Sequence, residues 1–173
     1  MGSDPLIDML SPSPGEKILD IGAGKGTVTN RVLRVSGGAE VYAVEPNERR
    51  VASMKKDFPE IRSSVASAES LPFPDSYFDK AFTTMVLHHV TDLDRALREV
   101  ARVLKNGGSF VILEVEPGSG LGVMFRFFGR LLGEHMSIMT QEQLLERLGT
   151  AEGLKFVRSA KDGPRYLVQL QRV

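Results

Sequence analysis

Residues 17–34 read KILDIGAGKGTVTNRVLR. The stretch opens on Lys17 to Ile21, an apolar run interrupted by Asp20. Glycines then stand at 22, 24 and 26, and a helical segment is expected from about Gly26 to Val35. Glycines at alternate positions let the backbone turn tightly and approach a ligand with no Cβ in the way. A strand, a glycine-rich turn and a helix in that order invite a nucleotide. The plain alternative is a strand-to-helix turn that holds nothing.

Outward from this stretch the chain alternates. Gly37-Gly38 stops the first helix, and Glu40 to Val44 reads as a second strand. Pro46-Asn47 opens a helix of about Glu48 to Lys56. Arg62 to Val65 fits a short third strand, and Lys80 to Met85 a fourth. Leu93, Leu97, Val100, Ala101 and Leu104 fall on one face at helical spacing. Asn106-Gly107-Gly108 is expected to end that helix. Phe110 to Val115 is nearly all apolar, as a strand buried on both faces should be. Thr140 and Gln143 form a capping-box pattern ahead of Leu144, Leu145 and Leu148. Two tail strands, Lys155 to Ser159 and Arg165 to Gln171, flank the turn signal Asp162-Gly163.

The expected fold is therefore α/β: a Rossmann-like, doubly wound, mostly parallel seven-stranded sheet with an antiparallel C-terminal hairpin strand. Residues 1–173 form a single domain. Within it, residues 16–115 are the cofactor-binding core, 116–139 a substrate or lid insertion, and 140–173 a C-terminal helix and hairpin. In such sheets ligands bind beyond the carboxyl ends of the strands, at the topological switch point. Functional residues are expected just after strands one, two, four and five.

Composition narrows the function. The 173 residues carry 22 Lys plus Arg against 22 Asp plus Glu. With no net charge there is no general pull towards nucleic acid, so none is expected as a partner. No cysteine is present, which removes disulfides, thiolate metal sites and cysteine nucleophiles. The histidines are His88, His89 and His135, a spacing poor for gathering a metal, and none is expected. No apolar run is long enough to span a bilayer and no secretory pattern opens the chain, so stable membrane insertion is not expected. A soluble, cytoplasmic protein is the expectation.

The glycine turn discriminates among nucleotides. A phosphate-binding Walker loop needs Gly-Lys followed directly by Ser or Thr, but here Gly26 follows Lys25. The dinucleotide pattern G-x-G-x-x-G would put its third glycine where Thr27 stands. Asp20 points away from a pyrophosphate, which wants the positive helix terminus without competition. It suits a ligand that carries an ammonium group and no phosphate, such as S-adenosylmethionine. Glu45, 19 residues after Gly26, can accept both ribose hydroxyls, a device that dehydrogenases share.

At these residues the sequence resembles the class I S-adenosylmethionine-dependent methyltransferases. Within them it is nearest the small-molecule branch that includes the ubiquinone/menaquinone biosynthesis enzymes. LDIGAGKG is similar to the family's first motif, VYAVEPN to its second-strand acidic motif, and AESLPFPDSYFDKAF to the segment lining the adenine. LHHVTD and LKNGGSFVILE resemble the rest of the core. The resemblance implies S-adenosyl-L-methionine as cofactor and S-adenosyl-L-homocysteine as product. It implies that Asp20, Gly22, Ala23 and Gly24 line the methionine half, with Gly26 shaping the turn. Glu45 would hold the ribose, Pro46 would pack near the adenine, and Ala68 and Glu69 would match the adenine-side segment. Ser67 stands where the family often has an aspartate. Thr84 and Met85 would end strand four against the methionine moiety.

A sulfonium is already a strong electrophile, so alignment and exclusion of water can suffice, and the catalytic residues are left unassigned. His88 and His89 are candidate bases for a nucleophile that loses a proton; the alternative is packing and helix entry beneath the site. The bulky stretch GLGVMFRFFGRLLGEHM, residues 120–136, suggests a lid over an apolar acceptor pocket with Met124, Phe127 and Phe128 as walls. A helix packed on the sheet edge and an interfacial helix with arginines towards headgroups are the alternatives. The partner implied is a small, apolar or aromatic methyl acceptor, met by in-line displacement. Little chain precedes the first strand, which leaves either an open site or one covered by a second subunit in a homodimer. A catalytically silent cofactor-binding or scaffold protein with the same fold is the remaining alternative.

Overall fold

A computed structural model describes residues 4–131 and 138–173, and within residues 120–131 the side chains of 120–124 and 127. In chain order the elements are α1 (Pro5–Leu10), β1 (Lys17–Ile21), α2 (Thr27–Val35), β2 (Glu40–Glu45), α3 (Glu48–Asp57), β3 (Arg62–Val65), β4 (Phe78–Thr84), α4 (Leu93–Val103), β5 (Leu104–Val115), α5 (Gly120–Leu131), α6 (Gln141–Leu148), β6 (Leu154–Asp162) and β7 (Arg165–Arg172). The seven strands form one sheet in the order β3-β2-β1-β4-β5-β7-β6. β1 to β5 pair in parallel, and β7 inserts antiparallel between β5 and β6. This is the doubly wound sheet with an antiparallel hairpin expected above.

The two faces of the sheet follow from alternation along each strand. Leu19, Ile21, Tyr42, Val44, Phe110 and Ile112 share one core with α4 and α6, through Leu97, Val100, Ala101, Leu144 and Leu148. Ile18, Val41, Phe82, Val111 and Leu113 face the other way, onto α1 and α2 through Leu6, Leu10 and Val32. Each such fully buried aliphatic side chain contributes roughly 1.5–3 kcal/mol of transfer free energy. Local signals fix the helix starts. Asp4, Asn47, Asp92 and Thr140 each cap a helix with a side-chain oxygen, and the Thr140–Gln143 capping box forms with both of its hydrogen bonds.

Several boundaries differ from the sequence reading: β6 runs from Leu154 to Asp162 and β4 begins at Phe78. Asn106-Gly107-Gly108 does not end α4, which stops at Val103. β5 begins immediately at Leu104, and its pairing partner jumps from Phe78↔Leu104 to Lys80↔Ser109. The three residues form a bulge, with Gly107 at φ +78°. At the other end of the neighbouring strand, β4 closes one residue early. Met85 takes φ +59°, a left-handed conformation outside the strand region.

Candidate cofactor site

The chain reverses its strand order between β1 and β4, and the carboxyl ends of these strands open a crevice there. The turn after β1 is held from β2. Gly22 N and Ala23 N donate to Val44 O at 2.8 and 3.0 Å, and Gly24 N donates to Glu45 Oε2 at 3.0 Å. The glycines do different work. A Cβ on Gly22 would lie 2.4 Å from Val86 Cγ2, and one on Gly26 would lie 2.6 Å from Met54 Cγ. Those two positions need glycine for close packing. Gly24, at φ +57°, meets no atom within 4 Å and faces open space. Gly26 then starts α2 with no side-chain cap, so the first N–H groups of that helix are left to another acceptor.

Asp20 lies behind this turn and is fully buried. Its Oδ2 accepts from the Thr29 hydroxyl at 2.6 Å, and its Oδ1 is buried with no hydrogen-bond partner in the described structure. Burial pushes the carboxyl up to about 7. The Thr29 hydrogen bond opposes that rise, and the nearby Glu45 adds to it. An acid buried beside one donor and one acid is short of a cation. Glu45 is itself buried at the end of β2. Besides Gly24 N, it accepts from Asn47 N at 3.1 Å and lies 3.5 Å from the half-exposed Arg50 guanidinium. Pro46 follows it, exposed.

Ala68 and Glu69 sit in the segment between β3 and β4, half-buried. Glu69 Oε1 accepts from Thr91 N at 3.0 Å and its carboxyl is also bonded by Ser67. Desolvation opposes ionisation there, but these hydrogen bonds outweigh it and hold the carboxyl below its usual range. Glu69 therefore ties the segment between β3 and β4 to the loop before α4. α4 anchors the same segment: Glu99 Oε2 accepts from Leu71 N at 2.8 Å, and Arg102 donates to Phe73 O at 2.7 Å and Leu71 O at 3.0 Å. Thr84 ends β4 and Met85 follows it into the loop, with Thr83 Oγ1 donating to Ile21 O at 2.9 Å across the switch point.

The two candidate bases part company. His88 is buried, with Nδ1 3.0 Å from Glu114 Oε2, while His89 is exposed with its ring 4.3 Å from that of His88. On the acceptor side, Met124 and Phe127 are exposed on α5, and Phe128 lies outside the residues whose side chains are described. Among the described residues no cluster of three or more His, Asp or Glu could hold a metal, and no helix is long and apolar enough to cross a membrane. Three residues at the site escaped the sequence reading: Thr29, Val86 and Glu114. Glu114 gave the same signal as Asp20, an acid inside an otherwise apolar strand.

A family model described as a methyltransferase domain matches residues 19–112. Among curated proteins, the ubiquinone/menaquinone biosynthesis C-methyltransferase UbiE of Vibrio cholerae is 37% identical over 135 residues, covering 70% of this chain and 51% of that protein. Its counterpart in a Caulobacter species is 34% identical over 122 residues, 64% of this chain and 48% of that one. The chain spans about half the length of the curated relatives it matches. Among solved structures, an S-adenosylmethionine-dependent methyltransferase from Mesorhizobium loti superposes with TM-score 0.81 at 21% identity, over 96% of this chain and 95% of that one. Geranyl diphosphate C-methyltransferase from Streptomyces coelicolor, in complex with magnesium, geranyl diphosphate and S-adenosyl-L-homocysteine, gives 0.79 at 18% identity, over 97% and 78%. These likenesses carry the fold. The matched residues 19–112 include the glycine turn, Glu45 and the strands that place them, and the chain belongs to the class I S-adenosylmethionine-dependent methyltransferases.

Proposed function

We propose that this chain transfers a methyl group from S-adenosylmethionine to a small, apolar or aromatic acceptor. The observation that carries the cofactor half is the orphaned, fully buried Asp20 Oδ1 behind a glycine turn whose Gly24 faces open space. An ammonium-bearing ligand supplies the missing cation. When bound, this cofactor supplies a sulfonium methyl that a nucleophile can take in line.

The chain's own residues bind, orient and exclude water. Asp20 and the backbone at Gly22 to Gly24 receive the methionine end, with Thr84 and Met85 facing it from β4. Glu45 would hold the ribose hydroxyls and Pro46 would pack near the adenine, with Ala68 and Glu69 in the segment that would line it. The chain itself positions more than it reacts, and pre-paid orientation can carry much of the barrier. His88 and His89 carry the imidazoles that could accept a proton from an acidic acceptor.

The acceptor half rests on α5, where Val123, Met124 and Phe127 leave apolar surface exposed, Phe127 at 66%. Together with the C-methyltransferase role in ubiquinone/menaquinone biosynthesis named for the relatives, it favours an acceptor with an electron-rich aromatic ring. We read residues 116–139 as the insertion that covers it, within a single domain. The protein works in the cytoplasm, as a monomer or as a homodimer that closes the crevice.

Calorimetric titration with S-adenosylmethionine, S-adenosylhomocysteine and NAD tests the cofactor, on wild type and Glu45→Ala. Micromolar binding of the first two, weakened by the substitution and absent for NAD, is expected. A radiolabelled methyl transfer assay on a water-soluble 1,4-naphthoquinol with an open ring carbon tests the acceptor class. Tight cofactor binding with no turnover on any aromatic acceptor would support the catalytically silent reading instead.

A further inference from the structure

The loop after β4 is held in the same way as the turn after β1. Met85 N donates to Leu113 O at 2.9 Å. Val86 N and Leu87 N both donate to Glu114 Oε1, at 2.9 and 2.7 Å. Glu114 Oε2 meets His88 Nδ1 at 3.0 Å. Three successive N–H groups thus converge on the end of β5, as Gly22, Ala23 and Gly24 converge on the end of β2. In each case a buried acid stands at the end of the strand: Glu45 is last in β2, and Glu114, 3% exposed, is next to last in β5.

The clamp has work to hold. Met85 is in the left-handed region, which strains a non-glycine residue, and a short 3₁₀ turn, Leu87–His89, begins with N–H groups that need acceptors. The two loops also interlock. Val86 occupies the space where a Cβ on Gly22 would fall, so the position of Val86 sets one wall of the glycine turn.

We propose that Glu114 is a positioning residue for methyl transfer. Its carboxylate fixes the Met85–His88 backbone and the His88 ring. Through the Val86–Gly22 contact it holds the turn that receives the methionine end of the cofactor. The inference rests on the cofactor reading above. It differs from a purely structural role in one respect: Glu114 and Val86 should act on cofactor affinity as one unit.

The test is a double-variant cycle on the full chain: Glu114→Gln, Val86→Ala and both together, with S-adenosylhomocysteine affinity read by calorimetry well below each melting temperature. A glutamine keeps one acceptor oxygen for three donors. Each single substitution is expected to weaken binding about tenfold, and the pair no more than the stronger single. Unchanged affinity in Glu114→Gln, or losses that multiply, would overturn the proposal. Amide hydrogen exchange of Val86 and Leu87 in wild type gives a second measurement should Glu114→Gln not fold: added S-adenosylhomocysteine is expected to slow both, and no slowing overturns it. If wild type binds neither S-adenosylmethionine nor its product, the cofactor reading fails and this inference with it. If wild type binds and the cycle is flat, only the role of Glu114 falls.

Discussion

Asp20→Asn should stabilise the cofactor-free protein at pH 8 far more than at pH 5. The carboxyl sits near 7 in the folded chain and near 3.8 in the unfolded one. Between these values the native state holds the proton and the unfolded state has lost it, so stability falls as pH rises. The full span, a little over three pH units, corresponds to about 4 kcal/mol. Roughly 2.5 kcal/mol of it falls between pH 5 and pH 8, by the linkage relation applied to these two values. Asparagine keeps an oxygen for Thr29 and never carries the charge, so the variant should lack this slope. Urea unfolding of both proteins at the two pH values measures it: the advantage of Asn should grow by about 2.5 kcal/mol from pH 5 to pH 8. In thermal melts a domain of this size shifts about 2–4 °C per kcal/mol. The same acid should reverse its sign when the cofactor is added. Pairing an ammonium needs the carboxylate, so wild-type affinity should fall as pH drops below about 7, while the Asn variant binds weakly throughout. An advantage of equal size at both pH values would refute the reasoning, since it would mean Asp20 does not carry a buried charge at pH 8.

Further outcomes follow from neighbouring geometry. Gly22→Ala places a Cβ 2.4 Å from Val86 at φ +76°, and should cost about 2–4 kcal/mol in a melt, whereas Gly24→Ala at φ +57° in open space should cost only about 1–2. Both should weaken S-adenosylhomocysteine binding, so equal melting temperatures for the two variants would contradict the packing at Gly22. Arg102→Ala strips donors from Leu71 O, Phe73 O and the Glu99 carboxylate, and should cost roughly 2 kcal/mol together with weaker adenosine binding. Arg102→Lys should not restore it, because one ammonium cannot span these partners. Thr140→Ala removes one half of the α6 capping box and should cost about 1 kcal/mol with cofactor affinity unchanged.

The elements were legible wherever one period dominated. β3 is found at its expected Arg62–Val65, and the Thr140–Gln143 box forms as its spacing requires. The glycine turn could be read because a backbone that must bend at 22, 24 and 26 leaves no other residue there. Asn106-Gly107-Gly108 misled, since glycines that stop a helix and glycines that bulge a strand look alike in one chain. Only the pairing of Phe78 with Leu104 separates the two. Glu114, Thr29 and Val86 were hidden for a different reason. Their partners, His88, Asp20 and Gly22, lie 26, 9 and 64 positions away by the sequence numbering, and no local pattern links them. α5 lies within the bulky stretch 120–136, which reads in the sequence as a lid, with a packed or interfacial helix as the alternatives. Val123, Met124 and Phe127 are exposed on it.

Asp20 and Glu114 put one question twice and answer it differently. Each is an acid set into an apolar strand of a parallel sheet, and each is buried. Leaving a buried carboxylate unpaired is costly, so each needs partners. Glu114 has Val86 N, Leu87 N and His88 Nδ1, and its needs are met by the chain itself. Asp20 has the Thr29 hydroxyl, one empty oxygen, and Glu45 nearby to make matters worse. A saturated acid fixes geometry and an unsaturated one waits for a cation. If that distinction is right, added cofactor should stabilise wild type more than Asp20→Asn at pH 8, because only the wild type has the unpaired charge to satisfy. Glu114→Gln should lose affinity without gaining stability at either pH. Melts of the three proteins with and without S-adenosylmethionine separate the two roles, and a Glu114→Gln protein more stable than wild type at pH 8 would place Glu114 with Asp20 as a second receptor.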